Sequence, residues 1–114
     1  MIKKIVVFPD YSSNGVWGWD GVHLSLDELD LSESLKKELI LLQHLYDSYD
    51  KSYSDEEPEI KINYAKLSFN IALKIKKEQP LWQVYFLNID GYVDIKRDSE
   101  VSNRIEVFLS DNYF

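Results

Sequence analysis

The chain has 114 residues, of which 45% are hydrophobic, and its 13 basic and 20 acidic side chains give a net charge of -7. This length fits one domain spanning residues 1–114. The acidic balance argues against nucleic acid as a partner, because Lys and Arg neutralise phosphates, and against docking on an anionic membrane surface. The absence of cysteine excludes disulfides and thiolate sites and is consistent with a cytoplasmic location.

The first third of the chain predicts a strand, a long connection and a helix. Residues 5–8, "IVVF", are typical of a strand buried on both faces, and the run is too short for a signal peptide. Residues 11–31 predict an irregular connection, in which the turn dipeptides make "GVWGWDGVHL" a candidate small hairpin. A helix is predicted from about 32 to 49, with Ser32 as its N-cap and Leu31 as a hydrophobic staple.

Both predicted helices carry an apolar stripe. The first stripe recurs at steps of three and four, with two further leucines expected to widen it: Leu35, Leu39, Leu42, Tyr46 and Tyr49, widened by Leu41 and Leu45. Residues 62–80 predict a second helix, with Asn63 as a candidate cap and Pro80 as its stop. Its buried face comprises Tyr64, Leu67 or Ser68, Ile71 and Ile75, beside Ala65, Phe69 and Ala72.

The C-terminal third predicts strands. Residues 81–89 are rich in aromatic and β-branched side chains, Asp90-Gly91 is a hairpin signal, and "YVDIK" (92–96) is the returning strand. Residues 104–110 alternate and predict a last strand, with a short helix as the alternative. The order is therefore β, loop, α, α, β, β, β. This order predicts a two-layer α+β domain, in which a mixed β-sheet is covered by two helices.

No catalytic or cofactor motif appears in the sequence. There is no nucleophile elbow, no S-x-x-K and no glycine-rich phosphate loop among the four glycines. The two histidines, His23 and His44, have no further ligands at metal spacing, and His44 is expected at the edge of a packed helix face. We therefore expect a protein that is not an enzyme and that holds no metal and no cofactor.

An acidic and tyrosine-rich stretch follows the first helix and is the best candidate for a partner-binding surface. Tyrosines give large contact areas at low entropic cost, and carboxylates pair with Arg and Lys of a basic protein. The alternative interpretation is a solvated loop. The predicted binding residues, called the acidic-aromatic patch below, are Tyr46, Asp47, Tyr49, Asp50, Tyr53, Asp55, Glu56 and Glu57.

The aromatic stretch "VFPDYSSNGVWGWDG" (7–21) supports two interpretations. It is either a ligand-stacking platform with paired carboxylates for hydrolysis, or a loop that its own aromatic side chains hold against the sheet. The second interpretation is the favoured one. The residues concerned are Asp10, Tyr11, Trp17, Trp19 and Asp20.

The pattern "FPDY…GVWGWDG…LSLDELDLSESLKKEL…YD" resembles small acidic bacterial proteins of unknown function. In size and charge the chain is also similar to immunity proteins of bacterial toxin systems, a likeness that identifies no residue. That similarity implies a cytoplasmic inhibitor that binds a basic toxin. Two alternatives remain open: a small-molecule binder or hydrolase that uses the tryptophan loop, and a non-catalytic structural or oligomeric protein.

Overall fold

The computed structural model describes residues 3–8, 15–22, 24–48, 58–88 and 104–110. These ranges contain four strands: β1 (Lys4–Val7), β2 (Val16–Gly18), β3 (Gln83–Leu87) and β4 (Arg104–Glu106). They also contain two helices, α1 (Glu33–Ser48) and α2 (Pro58–Glu78), and a short 3-10 turn at Leu26–Glu28. The strands form one sheet, and its buried residues share one core with those of both helices, which confirms the predicted two-layer α+β architecture.

The sheet is mixed, with the strand order β2-β1-β3-β4. The two central strands, β1 and β3, run parallel, with Ile5 opposite Val84 and Val7 opposite Phe86. Each outer strand is antiparallel to its neighbour. Because parallel strands need a long crossover connection, both helices lie in the chain between β1 and β3.

One face of the sheet packs on the helices and forms the core. The prediction that residues 5–8 form a doubly buried strand is confirmed for Ile5, Val6 and Val7, while Phe8 is half-buried. The ring centroids of Phe69 on α2 and Phe86 on β3 lie 5.1 Å apart, edge to face. Such an aromatic pair stabilises the helix–sheet contact beyond its buried area.

The helix α1 confirms the predicted start but not the predicted width of its buried stripe. The backbone N–H of Leu35 donates to Oγ of Ser32 at 3.3 Å, so Ser32 is the N-cap. Leu35, Leu39 and Leu42 are buried. Leu41 and Leu45 are 57% and 42% exposed, so the expectation that they widen the stripe is wrong. Each residue turns the helix by about 100°, which carries these two leucines to the flank that faces away from the sheet.

The prediction that His44 lies at the edge of a packed helix face is also wrong, because the preceding residue, Gln43, occupies that edge. His44 is exposed, whereas Gln43 is buried at the side of the core. Gln43 and His44 are adjacent polar residues, and the sequence does not show which of them lies nearer the apolar stripe of α1. The described position of His44 therefore offers no packed environment for this imidazole.

The helix α2 begins earlier than predicted. Its first residue is Pro58, which lacks the backbone N–H that a first helical turn leaves without an intrahelical partner. Asn63 therefore lies inside the helix and is not its cap. The helix ends at Glu78, before Pro80, as predicted. Of the two alternatives for the buried face, Ser68 is buried and Leu67 is 37% exposed.

The strands differ from the prediction in two places. β2 was not expected to pair with β1; it comprises the residues around Trp17 within the predicted connection. Residues 104–106 form a strand, which excludes the helical alternative there, although Leu109 is exposed and breaks the expected alternation. The Asp90-Gly91 hairpin and residues 92–96 lie outside the described residues. No helix in the described ranges is both long and apolar enough to cross a bilayer.

Candidate functional site

Trp17 lies on β2 and ties the first hairpin together. Its indole Nε1 donates a hydrogen bond of 3.1 Å to the carbonyl oxygen of Phe8. In the register of β1 and β2, Trp17 is opposite Val6 on the sheet face that points away from the helices. A half-buried indole whose N–H is already bound to the backbone is typical of a structural anchor.

Trp19 is the centre of an aromatic–cation cluster on the same sheet face. Its ring centroid lies 4.7 Å from that of Tyr85, which is buried on β3. The Lys4 Nζ lies 3.8 Å from the centroid of the Trp19 ring, and the Arg104 Cζ lies 4.6 Å from it. Arg104 Nη1 also donates to the carbonyl oxygen of Trp19 at 2.8 Å. Both the ring and the backbone of Trp19 are therefore held.

Asp20 shapes the turn that follows. Its Oδ1 accepts a hydrogen bond from the Val22 N–H at 3.1 Å, and the Gly18 N–H donates to the Val22 carbonyl at 2.9 Å. Residues 18–22 thus close a turn, but the strand partner of β2 is β1 and not a segment inside "GVWGWDGVHL". Asp10 and Tyr11 lie outside the described residues, so the proposed Asp10–Asp20 pair is untested.

Two hollows adjoin the tryptophan loop. A cavity of about 230 Å³ is bordered by Trp17 and Arg104, together with Val6, Phe8, Gly21 and Leu87. A second cavity, of about 370 Å³, is bordered by Trp19 and Asp20, together with Lys3, Lys4, Ile5, Gly18 and Leu24. The Arg104 and Asp20 side chains that border them already make contacts within the chain. These contacts favour the interpretation of a held loop.

The acidic-aromatic patch is described only at its first two residues. Tyr46 is half-buried, and its ring centroid lies 5.7 Å from that of Tyr64 on α2, so it helps to pack the two helices. Asp47 lies in the last turn of α1. The other members, Tyr49, Asp50, Tyr53, Asp55, Glu56 and Glu57, lie outside the described residues. In the sequence, the patch begins near the end of α1, and its last residue, Glu57, directly precedes α2.

A second acidic surface was missed at the sequence level. Asp27, Glu28 and Asp30, here called the acidic ridge, are exposed on the segment that leads into α1. Their carboxylates make no ion pair or hydrogen bond within the part of the chain that the structure describes. A sequence signal was available, because residues 5–35 contain neither Lys nor Arg.

The segment that carries the acidic ridge is anchored to the core and to the end of α2. The leucines of the same segment pack on the core: Leu24 and Leu26 are partly buried, and Leu29 and Leu31 are buried. The Gln79 Nε2 donates to the Asp30 carbonyl at 2.6 Å, and the Ser32 N–H donates to Oε1 of Glu78 at 2.8 Å. This segment is therefore anchored to the C-terminal end of α2, with its carboxylates left in solvent.

A groove runs between α1 and α2 on the side away from the sheet, with a volume of about 440 Å³. Its apolar walls include the exposed leucines Leu41, Leu45 and Leu67. Glu38 and Lys74 form an ion pair of 2.6 Å at one end. The groove residues, called the helix groove below, are Glu38, Leu41, Leu42, Leu45, Leu67, Asn70, Ile71 and Lys74.

The described residues contain no group of three or more His, Cys, Asp or Glu that could hold a metal ion. Comparison with known proteins gives no match, whether to a protein-family model, to a curated protein or to a solved structure. Function must therefore be inferred from the surfaces of this chain.

Proposed function

We propose that this protein is a non-catalytic binding module for a basic protein partner, acting as an inhibitor in the manner of a toxin-immunity protein in the cytoplasm. The observation that supports this best is the acidic ridge. Three exposed carboxylates stand on a segment that is anchored by leucines and by the end of α2. A carboxylate held in this way accepts charge-assisted hydrogen bonds from Arg without a further loss of loop entropy.

The distribution of charge strengthens the proposal. The acidic ridge precedes α1 in the sequence, and the acidic-aromatic patch begins at its last turns. The 16 residues of α1 span roughly 24 Å, at about 1.5 Å per residue. A protein with a net charge of -7 attracts a basic partner at long range and speeds their encounter. A partner that contacts both the acidic ridge and the acidic-aromatic patch would have its basic active site covered by this chain.

The test is a pull-down from lysate of the native host with the tagged full chain, washed at low and then at high salt. The first variant carries Asp27→Asn, Glu28→Gln and Asp30→Asn, and the second carries Asp50→Asn, Asp55→Asn, Glu56→Gln and Glu57→Gln. A matched control neutralises three exposed lysines, with Lys37→Gln, Lys66→Gln and Lys77→Gln.

We expect the wild type and the lysine control to retain a basic, stoichiometric protein that high salt elutes, and the acid variants to lose it. Circular dichroism checks that every variant is folded, and the ridge variant should melt like the wild type, because the ridge carboxylates make no described contact. Unchanged capture and unchanged salt dependence in both acid variants would contradict the proposal.

The hollow beside Trp19 supports a second candidate, a small-molecule site of about 370 Å³ with two lysines on its rim. A ligand there would change the tryptophan fluorescence. Trp19→Phe should abolish that change and weaken ligand binding while the chain stays folded. A ligand screen that leaves the emission of the wild type unchanged would count against this candidate.

A further inference from the structure

The helix groove is built from two matching rows of side chains. On α1, Glu38, Leu41 and Leu45 recur at i, i+3 and i+7, so they share one face of the helix. On α2, Leu67 and Lys74 are also seven residues apart, with Ile71 between them. Two such rows side by side form a two-helix face of the kind that packs against other helices.

Three exposed leucines lie together on this face. Leu41, Leu45 and Leu67 are 57%, 42% and 37% exposed and border a single groove. Contiguous apolar patches bordered by polar side chains mark interaction surfaces in water-exposed proteins. The groove is separate from the acidic ridge, so an inference about it does not depend on the proposed inhibitor function.

The polar groups of the groove point to what covers it. Its two charged members are one acid and one base, Glu38 and Lys74, located at the same end. At the other end, the rings of Tyr46 and Tyr64 meet across the two helices. The charged rim is therefore neutral as a whole and complementary to itself, unlike the acidic ridge, which is complementary to a basic surface.

We propose that a second copy of this chain covers the helix groove and forms a two-fold symmetric dimer. A two-fold axis within the interface, parallel to the helices, places α1 of one copy on α2 of the other. Glu38 then faces Lys74 of the second copy, and Leu45 faces Leu67 of the second copy. The four helices form an antiparallel bundle in which each charge meets its opposite.

The two-fold axis could also lie in the interface perpendicular to the helices, but that orientation is less favourable. An axis perpendicular to the helices would place Glu38 and Lys74 of one copy against Leu45 and Leu67 of the other. That arrangement would bury charged groups against leucine side chains without a partner, which is costly. Charge complementarity thus selects the parallel axis.

The first experiment measures mass by sedimentation equilibrium over a concentration series of the full chain. We expect the wild type to approach twice the 13.5 kDa of one chain. Leu41→Glu should raise the dimer dissociation constant by at least about tenfold, because a carboxylate would enter the apolar interface. Ile40→Glu is the matched control: Ile40 is 55% exposed on the same helix but outside the groove, so this variant should dimerise like the wild type.

The second experiment tests the axis by charge exchange. Glu38→Lys alone and Lys74→Glu alone should each remain monomeric, because like charges would meet across the interface. An equimolar mixture of the two variants should form a heterodimer, since each lysine of one chain then faces a glutamate of the other. If Glu38 and Lys74 paired only within one chain, mixing the two variants would not restore dimerisation.

Three outcomes would overturn the proposal. A wild type that keeps the mass of one chain throughout the series excludes the dimer. A dimer that Leu41→Glu and Leu67→Glu leave intact has another interface, such as an outer strand of the sheet. A mixture of the charge variants that stays monomeric while the wild type dimerises excludes the proposed axis. Circular dichroism of each variant confirms that the compared chains are folded.

Discussion

Arg104 on β4 donates a hydrogen bond of 2.8 Å to the backbone carbonyl of Trp19, 85 residues earlier in the chain. The same guanidinium lies over the Trp19 indole, with its Cζ 4.6 Å from the ring centroid. This pair connects the last described strand to the turn after β2, across the sheet face opposite the helices. It is a physical reason why the turn at Trp19 is held against the sheet.

Replacing Arg104 with alanine should lower the free energy of unfolding by about 1–3 kcal/mol, because the loss removes a hydrogen bond with a charged donor and a cation–π contact. Arg104→Lys keeps the charge but loses the planar donor fork, so we expect only partial recovery. Urea denaturation followed by tryptophan fluorescence measures both. An Arg104→Ala protein as stable as the wild type would show that the contact contributes nothing.

Gly15 and Gly21 both have a backbone conformation that is strained for residues with a side chain, but only Gly15 lies close to a neighbouring helix. Both have positive φ, +81° and +84°. A Cβ at Gly15 would lie 3.0 Å from the carbonyl oxygen of Leu39 on α1, whereas a Cβ at Gly21 meets nothing within 4 Å. Gly21→Ala should cost about 1–2 kcal/mol from the left-handed conformation alone, and Gly15→Ala should cost more.

The comparison is measured by chemical denaturation of the two alanine variants, with Gly21→Asn as the control, because Asn tolerates the left-handed region. Equal losses for the two alanine variants would mean that α1 shifts away from residue 15 without cost.

Ser68 on α2 is fully buried, and its Oγ has no hydrogen-bond partner among the residues that the structure describes. Ser68→Ala should therefore leave the unfolding free energy unchanged or raise it by up to about 1 kcal/mol, since a buried hydroxyl without a partner costs free energy. The reverse change at a neighbouring buried position, Ala72→Ser, should lower it. Thermal unfolding compares the two, and a clear loss of stability in Ser68→Ala would reveal a hydrogen bond that the structure lacks.

Leu42 and Ile40 test the division between the core and the outer side of α1. Leu42 is fully buried, and Leu42→Ala should cost about 2–5 kcal/mol through lost burial and a residual cavity. Ile40 is exposed, and Ile40→Ala should stay within about 0.5 kcal/mol of the wild type, because alanine is also the better helix former. Similar losses from both changes, measured in urea, would contradict the burial of this helix face.

Local patterns in the sequence were sufficient to predict most elements. The steps of three and four residues between Leu35, Leu39 and Leu42 predicted a helix, and Ser32 its start, because both signals depend on neighbours along the chain. The pairing of β2 with β1 was not predicted, because three residues around Trp17 are too few to show a period of two and do not indicate which strand they pair with. The exposure of Leu41 and Leu45 was missed because hydrophobicity alone does not distinguish a core-facing flank from a groove.

The candidate sites divide in the same way. The acidity of the chain and the clustering of carboxylates follow directly from the composition and order of the residues in the sequence. The contact between Trp19 and Arg104, the anchoring of the acidic ridge to Gln79 and Glu78, and the meeting of Glu38 with Lys74 all join residues more than 30 positions apart.

By itself, the sequence determined the fold class, the buried stripe of Leu35, Leu39 and Leu42 on α1 and the sign of the charge, because these follow from local periodicity and side-chain chemistry. Only the tertiary structure decided which tryptophans are structural anchors, which carboxylates are left in solvent and which leucines remain exposed. Those properties depend on distances between segments that are remote in the chain, and the distances are set when the strands pair and the helices pack.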